Sequence, residues 1–393
     1  MDSDATPLIS SDSHITEPPD LWTKRLEASF RDRAPHYVHD SDSAGLFFVV
    51  ENQLPQQVNV NIAAGKNPED YAEFFRLGLE SGRPGGWDPA ARLVDMNADG
   101  IEGAVLYTSQ GLSLFKISDG AYQAACFRAY NDWMAEYCSH APSRLAGIAL
   151  ISLFDIPTAV RELERCHALG LRGAMIWGRP PESIPFSSER YEPFWQAASD
   201  FRMPLSLHIG SGGDQGAKER ADSEQPYWHN MDALISLPSE VQCALTTLAF
   251  SGALERHPGL MFISAEYDFG WVPYFLQNLD RLYQRWSPML GLNLTAPPSD
   301  YIKRQVRMTF IRDRAGLSMV SAGLLSADTA MWCDDYPHGA STFPNSRSFV
   351  DETMADLSVA HRQKIIYDNA AALYRLGNGS PKQATGSPHN ENC

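Results

Sequence analysis

Polar side chains that could bind a metal ion follow several short apolar runs of this chain. Asp12 and His14 close the first run, and Glu17 lies just beyond them. Because side chains alternate along a strand, Asp12 and His14 would share one face. His208 closes another run and Glu266 closes a third. Since a buried carboxylate or imidazole needs a partner, these residues are candidates for a metal site.

A fourth apolar run is followed by Asp334, Asp335 and His338. Adjacent carboxylates on a strand point to opposite faces, so only one of the two can face the interior. His338 is a candidate ligand, proton shuttle or surface residue. His229, in a loop beside Tyr227 and Trp228, is a further candidate for a ligand or a substrate contact.

Each of these positions also has a simpler structural interpretation. Asp12 would then be a solvated residue before the turn at Pro18, and His208 a core histidine with satisfied hydrogen bonds. Glu266 would be the acidic member of a buried ion pair with an arginine. Tyr227 and Trp228 could equally wall a hydrophobic substrate or pack within their loop.

Eight strand-like runs alternate with helix-like stretches, which is typical of a parallel sheet covered by helices. The predicted strands are residues 8–15, 101–107, 145–153, 173–177, 205–209, 260–265, 308–311 and 330–333. The predicted helices are residues 122–138, 156–169, 241–256, 271–285 and 361–374. No glycine-rich dinucleotide motif follows the first strand, so a closed (β/α)8 barrel of the α/β class is favoured over a doubly wound sheet.

Three stretches are longer than ordinary connections, and one of them, residues 287–299, follows the helix predicted at residues 271–285. Residues 18–89 follow the first strand and residues 210–238 follow the fifth. Loops after barrel strands lie over the site, so both are expected to act as lids or substrate walls. We expect residues 1–376 to form one domain and the polar tail, residues 377–393, to be disordered.

The bulk composition narrows the class of protein. The chain has 393 residues, of which 44% are hydrophobic, enough for a large core. Its net charge is −16, and no basic patch stands out, which argues against nucleic acid or an anionic membrane as a partner. The six cysteines form no CxxC pair, and the start lacks a signal-peptide pattern, so we expect a cytoplasmic protein with reduced thiols.

Several motifs together resemble the amidohydrolase-2 group, the relatives of aminocarboxymuconate-semialdehyde decarboxylase and the resorcylate decarboxylases. They are Asp12-Ser13-His14-Ile15-Thr16-Glu17-Pro18, Asp95-Met96-Asn97-Ala98-Asp99-Gly100-Ile101, His208, Glu255-Arg256-His257-Pro258-Gly259-Leu260, Gly270-Trp271-Val272-Pro273, Asp335-Tyr336-Pro337-His338 and Asp368-Asn369-Ala370. The resemblance implies an amidohydrolase-type barrel in which Asp12, His14, His208 and Asp335 bind metal. It also implies that two copies pair, although the sequence shows no interface.

The chain departs from the decarboxylase pattern at two places. Its first strand reads Asp-x-His where the aminocarboxymuconate enzyme has His-x-His, and Glu266 stands where the decarboxylases present a proton-transferring histidine. Seven candidate ligands are more than one zinc ion needs. The full set is Asp12, His14, Glu17, His208, Glu266, Asp335 and His338. Carboxylates mixed with imidazoles suit two ions of iron, with manganese or zinc as alternatives.

This ligand set is similar to the branch of non-haem dinuclear oxygenases that includes the diterpenoid hydroxylase of the platensimycin and platencin pathway. The resemblance implies an iron monooxygenase that uses O2 and an external electron donor to hydroxylate a bulky hydrophobic substrate, such as a diterpenoid acid or thioester. Asp335, Glu266 and His338 are its expected catalytic residues. The competing hypothesis is metal-dependent hydrolysis or decarboxylation of a carboxylated substrate, with Asp335 as base.

Overall fold

The computed structural model describes residues 6–40, 45–212 and 235–377 of the chain. Eight parallel strands form one sheet whose spatial order follows the chain. They are β1 (Leu8–His14), β2 (Ile101–Tyr107), β3 (Leu145–Leu150), β4 (Gly173–Ile176), β5 (Leu205–His208), β6 (Phe262–Ala265), β7 (Val306–Phe310) and β8 (Ala330–Trp332). The predicted barrel and its eight strands are confirmed, and their residues are mostly buried because helices cover the outside.

The barrel closes between β1 and β8 through serine side chains. Ser11 Oγ donates hydrogen bonds to the carbonyl oxygens of Met331, at 3.2 Å, and Trp332, at 2.9 Å. Ser10 Oγ donates to Oδ1 of Asp334 at 2.6 Å and accepts from the backbone N–H of that residue at 3.0 Å. This seam brings the polar residues after β1 and β8 side by side.

The α-helices lie between and around the strands, and several begin after an aspartate that caps the first turn. Asp119 accepts a hydrogen bond from Tyr122 N–H at 3.1 Å, and Asp155 accepts one from Thr158 N–H at 2.9 Å. The α-helices are Leu21–Arg25, Tyr71–Phe74, Pro89–Asp99, Gly120–Ser139, Ile156–Ala168, Glu192–Asp200, Pro238–Phe250, Ala253–Arg256, Val272–Leu290, Pro298–Gln305, Arg314–Ser321, Ser346–Thr353, Val359–Gln363 and Asn369–Tyr374.

Three predicted helices differ from the observed ones. The stretch predicted as one helix over residues 241–256 is interrupted at Gly252, whose φ of 76° is left-handed. The helix predicted to end at residue 285 continues to Leu290. The last predicted helix contains a π-helical turn at Lys364–Asp368. These are differences of local geometry that residue pattern alone does not encode.

The first long insertion packs on the carboxyl-terminal face of the barrel. It contains a three-stranded antiparallel sheet of His36–Asp40, Gly45–Val49 and Gln56–Gln57. Gly86 O accepts a hydrogen bond from Thr16 N–H at 2.8 Å, just beyond β1. The insertion therefore contacts the loop that carries the first candidate ligands. The second insertion lies largely at residues 213–234, outside the described residues.

Within the described ranges, none of the helices combines the length and the apolar character that crossing a membrane requires.

We expect Ser10→Ala to weaken the seam, because it leaves the buried N–H of Asp334 without a partner and removes one of the hydrogen bonds that its carboxylate accepts. The free energy of unfolding of the metal-free protein should fall by about 1–3 kcal/mol in urea denaturation. The matched change Ser348→Ala, on an exposed helix position, should alter it by less than about 0.5 kcal/mol. Equal values for the two variants would contradict the assigned role of the serine seam.

Candidate metal centre

Two imidazoles and two carboxylates meet at the carboxyl-terminal mouth of the barrel. β1 supplies Asp12 and His14, β5 ends in His208, and Asp335 follows β8. Nε2 of His14 lies 3.5 Å from Oδ1 of Asp12 and 3.6 Å from Oδ1 of Asp335. Nε2 of His208 lies 3.5 Å from the same Asp12 oxygen. All four side chains are buried.

The atoms that face one another in this cluster make no hydrogen bond among the described residues. They are Oδ1 of Asp12, Nε2 of His14 and Nε2 of His208. Oδ1 of Asp335 faces Nε2 of His14 and has Nδ1 of His338 as a second neighbour at 2.9 Å. Buried polar atoms without partners are rare and costly. Two ligands each about 2.1 Å from a tetrahedral ion lie roughly 3.4 Å apart, which is close to the observed separations. Asp12, His14 and His208 therefore lie at the spacing that a metal ion requires, and Asp335 contacts this group through His14.

The other ring nitrogen of each histidine fixes its tautomer. Nδ1 of His14 lies 2.9 Å from the carbonyl oxygen of Thr108, and Nδ1 of His208 lies 2.8 Å from that of Ile209. A carbonyl oxygen can only accept, so each Nδ1 carries the proton. Each Nε2 then presents a lone pair to the cluster, which is the usual arrangement around a metal-binding histidine.

Asp334 and Asp335 point to opposite sides, as expected, although both lie beyond the end of β8. Oδ1 of Asp334 accepts hydrogen bonds from Ser10 and Ser13 in the β1–β8 seam, at 2.6 and 2.7 Å. Asp335 faces His14 instead and has a left-handed backbone with φ of 54°. Asp334 therefore lies in the barrel wall, and Asp335 lies in the cluster.

His338 lies beside the cluster and contacts Asp335. Its Nδ1 is 2.9 Å from Oδ1 of Asp335, and its Nε2 is 2.8 Å from Oγ of Ser109. Its ring stacks on that of His14 with centroids 4.0 Å apart. Asp335, His14 and His338 form a second group of potential ligands that overlaps the group of Asp12, His14 and His208.

Glu266 stands at the more open side of the cluster. Its Oε2 lies 3.6 Å from Nε2 of His208, and its side chain is 27% exposed, whereas the four central side chains are nearly fully buried. Its backbone is left-handed, with φ of 66°. Glu266 is therefore the cluster carboxylate best placed to meet a molecule that enters the mouth.

The structure does not bring Glu17 into the cluster, contrary to the expectation that it is a ligand. Its carboxylate accepts hydrogen bonds from the hydroxyl of Thr108, from Gln110 N–H at 3.0 Å and from Gly111 N–H at 3.1 Å. Neither group of potential ligands contains it. Both of its oxygens are engaged by the loop after β2, so Glu17 stabilises the wall that holds Thr108. His229 lies outside the described residues.

Opposing pKa shifts show how strongly these groups interact. Burial lowers the pKa of His14 well below its ordinary value. Burial also acts to lower the pKa of His208, but the carboxylates of Asp12 and Glu266 and the carbonyl oxygen of Ile209 together outweigh it and raise that pKa to about 9. Burial and the neighbouring carboxylate of Asp335 raise the pKa of Glu266 to about 8. The pKa values shift because acidic and basic groups lie close together where little water reaches them.

Sequence reasoning missed three residues that support the cluster. Thr108 orients His14, as described, and Thr309 Oγ1 donates a hydrogen bond to Oδ2 of Asp12 at 2.8 Å. Arg92 is fully buried and donates a hydrogen bond to the carbonyl oxygen of His14 at 2.8 Å. No motif around these residues signals such contacts. A buried polar residue at a strand end was the only available clue, and it applies to Thr108 and Thr309.

Comparison with known proteins agrees with the geometry. A family model described as Amidohydrolase matches residues 12–376. The gamma-resorcylate decarboxylase of Polaromonas sp. is 25% identical over 304 residues, which cover 74% of this chain and 87% of that protein.

Two solved structures share the fold. An amidohydrolase from Mycobacterium avium subsp. paratuberculosis has a TM-score of 0.75 at 20% identity, over 95% of this chain and 99% of that one. A dihydroxybenzoic acid decarboxylase from Polaromonas sp., solved with bound manganese and the inhibitor 2-nitroresorcinol, has a TM-score of 0.65 at 20% identity. The alignment with this decarboxylase covers 94% of this chain and 97% of that one.

We expect Asp12→Asn and His208→Gln each to lower the affinity for Mn2+ by at least about 100-fold, because each removes a ligand atom from the centre. Competition with a chelating indicator on dialysed protein measures the affinity. His257→Gln is the control, since His257 precedes β6 and pairs with Glu192 at 2.7 Å. Glu17→Gln should keep the wild-type affinity within a few-fold, and a 100-fold loss there would return Glu17 to the ligand set.

Proposed function

Because the chain belongs to the amidohydrolase family, we propose that this metal-dependent enzyme removes a carboxylate group from a small carboxylated, preferably aromatic, substrate. One observation carries the proposal. Three buried atoms without hydrogen-bond partners, from Asp12, His14 and His208, converge at the mouth of the barrel, and the carboxylate of Asp335 lies beside them. The relative and one of the two similar structures named above are decarboxylases of hydroxylated aromatic acids, which supports this chemistry over others that the same centre could perform.

The residues of the site have two proposed roles: some bind the metal ion, and Glu266 acts on the substrate. Asp12, His14 and His208 would hold one divalent cation, since their ligand atoms lie close together, and Asp335 would join them from its place beside His14. The donor set of two imidazoles and two carboxylates suits manganese, iron or zinc. When bound, such an ion acts as a Lewis acid toward the oxygens of the substrate.

Glu266 is our candidate for the proton transfer that decarboxylation requires. The bond between the substrate carbon and its carboxylate breaks, CO2 leaves, and the electron pair stays on the carbon, which takes up a proton. Glu266 is partly exposed and lies beside the buried cluster, so its carboxyl can deliver that proton to a bound molecule. We assign it the part that a histidine takes in the related decarboxylases.

A second candidate function is hydroxylation by a dinuclear iron centre. It is favoured by the two overlapping groups of potential ligands, with Glu266 beside the first and His338 in the second. This candidate requires two iron ions, O2, an external electron donor and a hydrophobic substrate. His14 has only one free ring nitrogen, so it can serve one of the two ions. Asp335 and Glu266 would then have to complete the other ion's coordination with His338.

We expect the manganese-loaded protein to release CO2 from gamma-resorcylate, the substrate in the name of the relative described above, under nitrogen. Glu266→Gln should lower kcat by about 10²–10⁴-fold because it removes the proton donor, while the affinity for Mn2+ stays within a few-fold. Glu69→Gln, at an exposed site, is the control and should match the wild type.

Different results would favour the oxygenase. Two irons per chain, loss of one of them in Glu266→Gln, and product formation only with O2 and a reductant would overturn the decarboxylase proposal. The metal count and the oxygen requirement are measured independently of which substrate is found.

A further inference from the structure

We propose that Thr309 on β7 is a positioning residue for the whole centre: its hydroxyl selects the oxygen of Asp12 that faces the metal and holds the backbone of Glu266. The inference rests on the proposed metal site but not on the reaction assigned to it. Thr309 is fully buried and lies outside the motifs by which the sequence resembles its family. It contacts the centre from a strand that supplies no ligand.

The direction of both hydrogen bonds of the hydroxyl is determined by its partners. Glu266 N–H can only donate, and it lies 2.8 Å from Oγ1 of Thr309. The proton of the hydroxyl is then free for Oδ2 of Asp12, which lies at 2.8 Å and accepts. A threonine hydroxyl has only one proton, and the hydrogen bond to Asp12 uses it. Its β-branched side chain also has few alternative rotamers, which keeps the hydroxyl in place.

The first consequence concerns Asp12. With Oδ2 bound to Thr309, Oδ1 remains the atom without a hydrogen-bond partner, 3.5 Å from the Nε2 atoms of both His14 and His208. The carboxylate is thereby set to bind an ion through one oxygen. Without the hydroxyl it could rotate and turn either oxygen, or both, to the ion.

The second consequence concerns Glu266. Its φ of 66° is unfavourable for a residue other than glycine and persists only where neighbouring contacts hold it. The Thr309 hydroxyl accepts the N–H of this strained residue. Asp335 has a similar φ of 54°, and its N–H donates to the carbonyl oxygen of Asp12 at 3.2 Å. The backbone N–H groups of these two residues are thus both linked to Asp12. That of Asp335 is linked directly, and that of Glu266 is linked through Thr309.

A set of substitutions at Thr309 separates positioning from simple stabilisation. Thr309→Val keeps the shape and removes the hydroxyl, whereas Thr309→Ser keeps the hydroxyl. We expect Thr309→Val to weaken Mn2+ binding about 10–100-fold in competition with a chelating indicator, as for other residues that orient ligands. Thr309→Ser should bind within about threefold of the wild type. The measurement needs no substrate, so it stands even if the decarboxylase proposal fails.

Thr329→Val is the matched control, because Thr329 is buried and donates to Ser326 O at 2.7 Å outside the centre. It should lower stability without changing Mn2+ affinity. Wild-type Mn2+ affinity in folded Thr309→Val would overturn the proposal and leave Thr309 a core residue. If Thr309→Val does not fold, Thr309→Cys replaces the hydroxyl with a weaker donor of similar size. Its affinity should then lie below that of Thr309→Ser, and equality of the two would equally overturn the proposal.

Discussion

The meeting of two carboxylates and two imidazoles in a buried space constrains the rest of this barrel. Moving unpaired charges out of water costs several kcal/mol each unless they find partners or an ion. Here the facing atoms of Asp12, His14 and His208 have no hydrogen-bond partner among the described residues, while their remaining polar atoms are largely engaged. The fold therefore holds the groups at ligand spacing and leaves their mutual repulsion for a cation to relieve.

Much of the surrounding structure maintains that arrangement. The serine seam between β1 and β8 brings the residues after these strands together, and it also removes Asp334 from the interior. The loop after β2 orients His14 through the carbonyl oxygen of Thr108 and is itself held by the carboxylate of Glu17. The first long insertion packs over the same loops, so the mouth is shaped by contacts from distant parts of the chain.

The chemistry of such a centre depends on what stands next to it more than on the ligands themselves. Two imidazoles and two carboxylates can serve a Lewis acid or a redox ion, because ligand types overlap between manganese, iron and zinc. Glu266 contacts His208 and His338 contacts Asp335, so either side chain could offer a proton to a substrate or a ligand to a second ion. Membership of the family therefore identifies the scaffold, and the proposed reaction depends on the roles of these two side chains.

The sequence by itself determined the eight strands and the residues that end them. Since parallel strands of a closed barrel all point their carboxyl ends to one mouth, those ends must meet, and Asp12, His14 and His208 could be placed together from pattern alone. The tertiary structure decided what each carboxylate does. The carboxylate of Glu17 binds a loop, and that of Asp334 lies in the barrel wall. The carboxylate of Asp12 accepts a hydrogen bond from Thr309, which is 297 residues away from it along the chain. A local pattern specifies which face a side chain occupies, but its hydrogen-bond partner depends on distances of a few tenths of an ångström between strands, and only packing sets those.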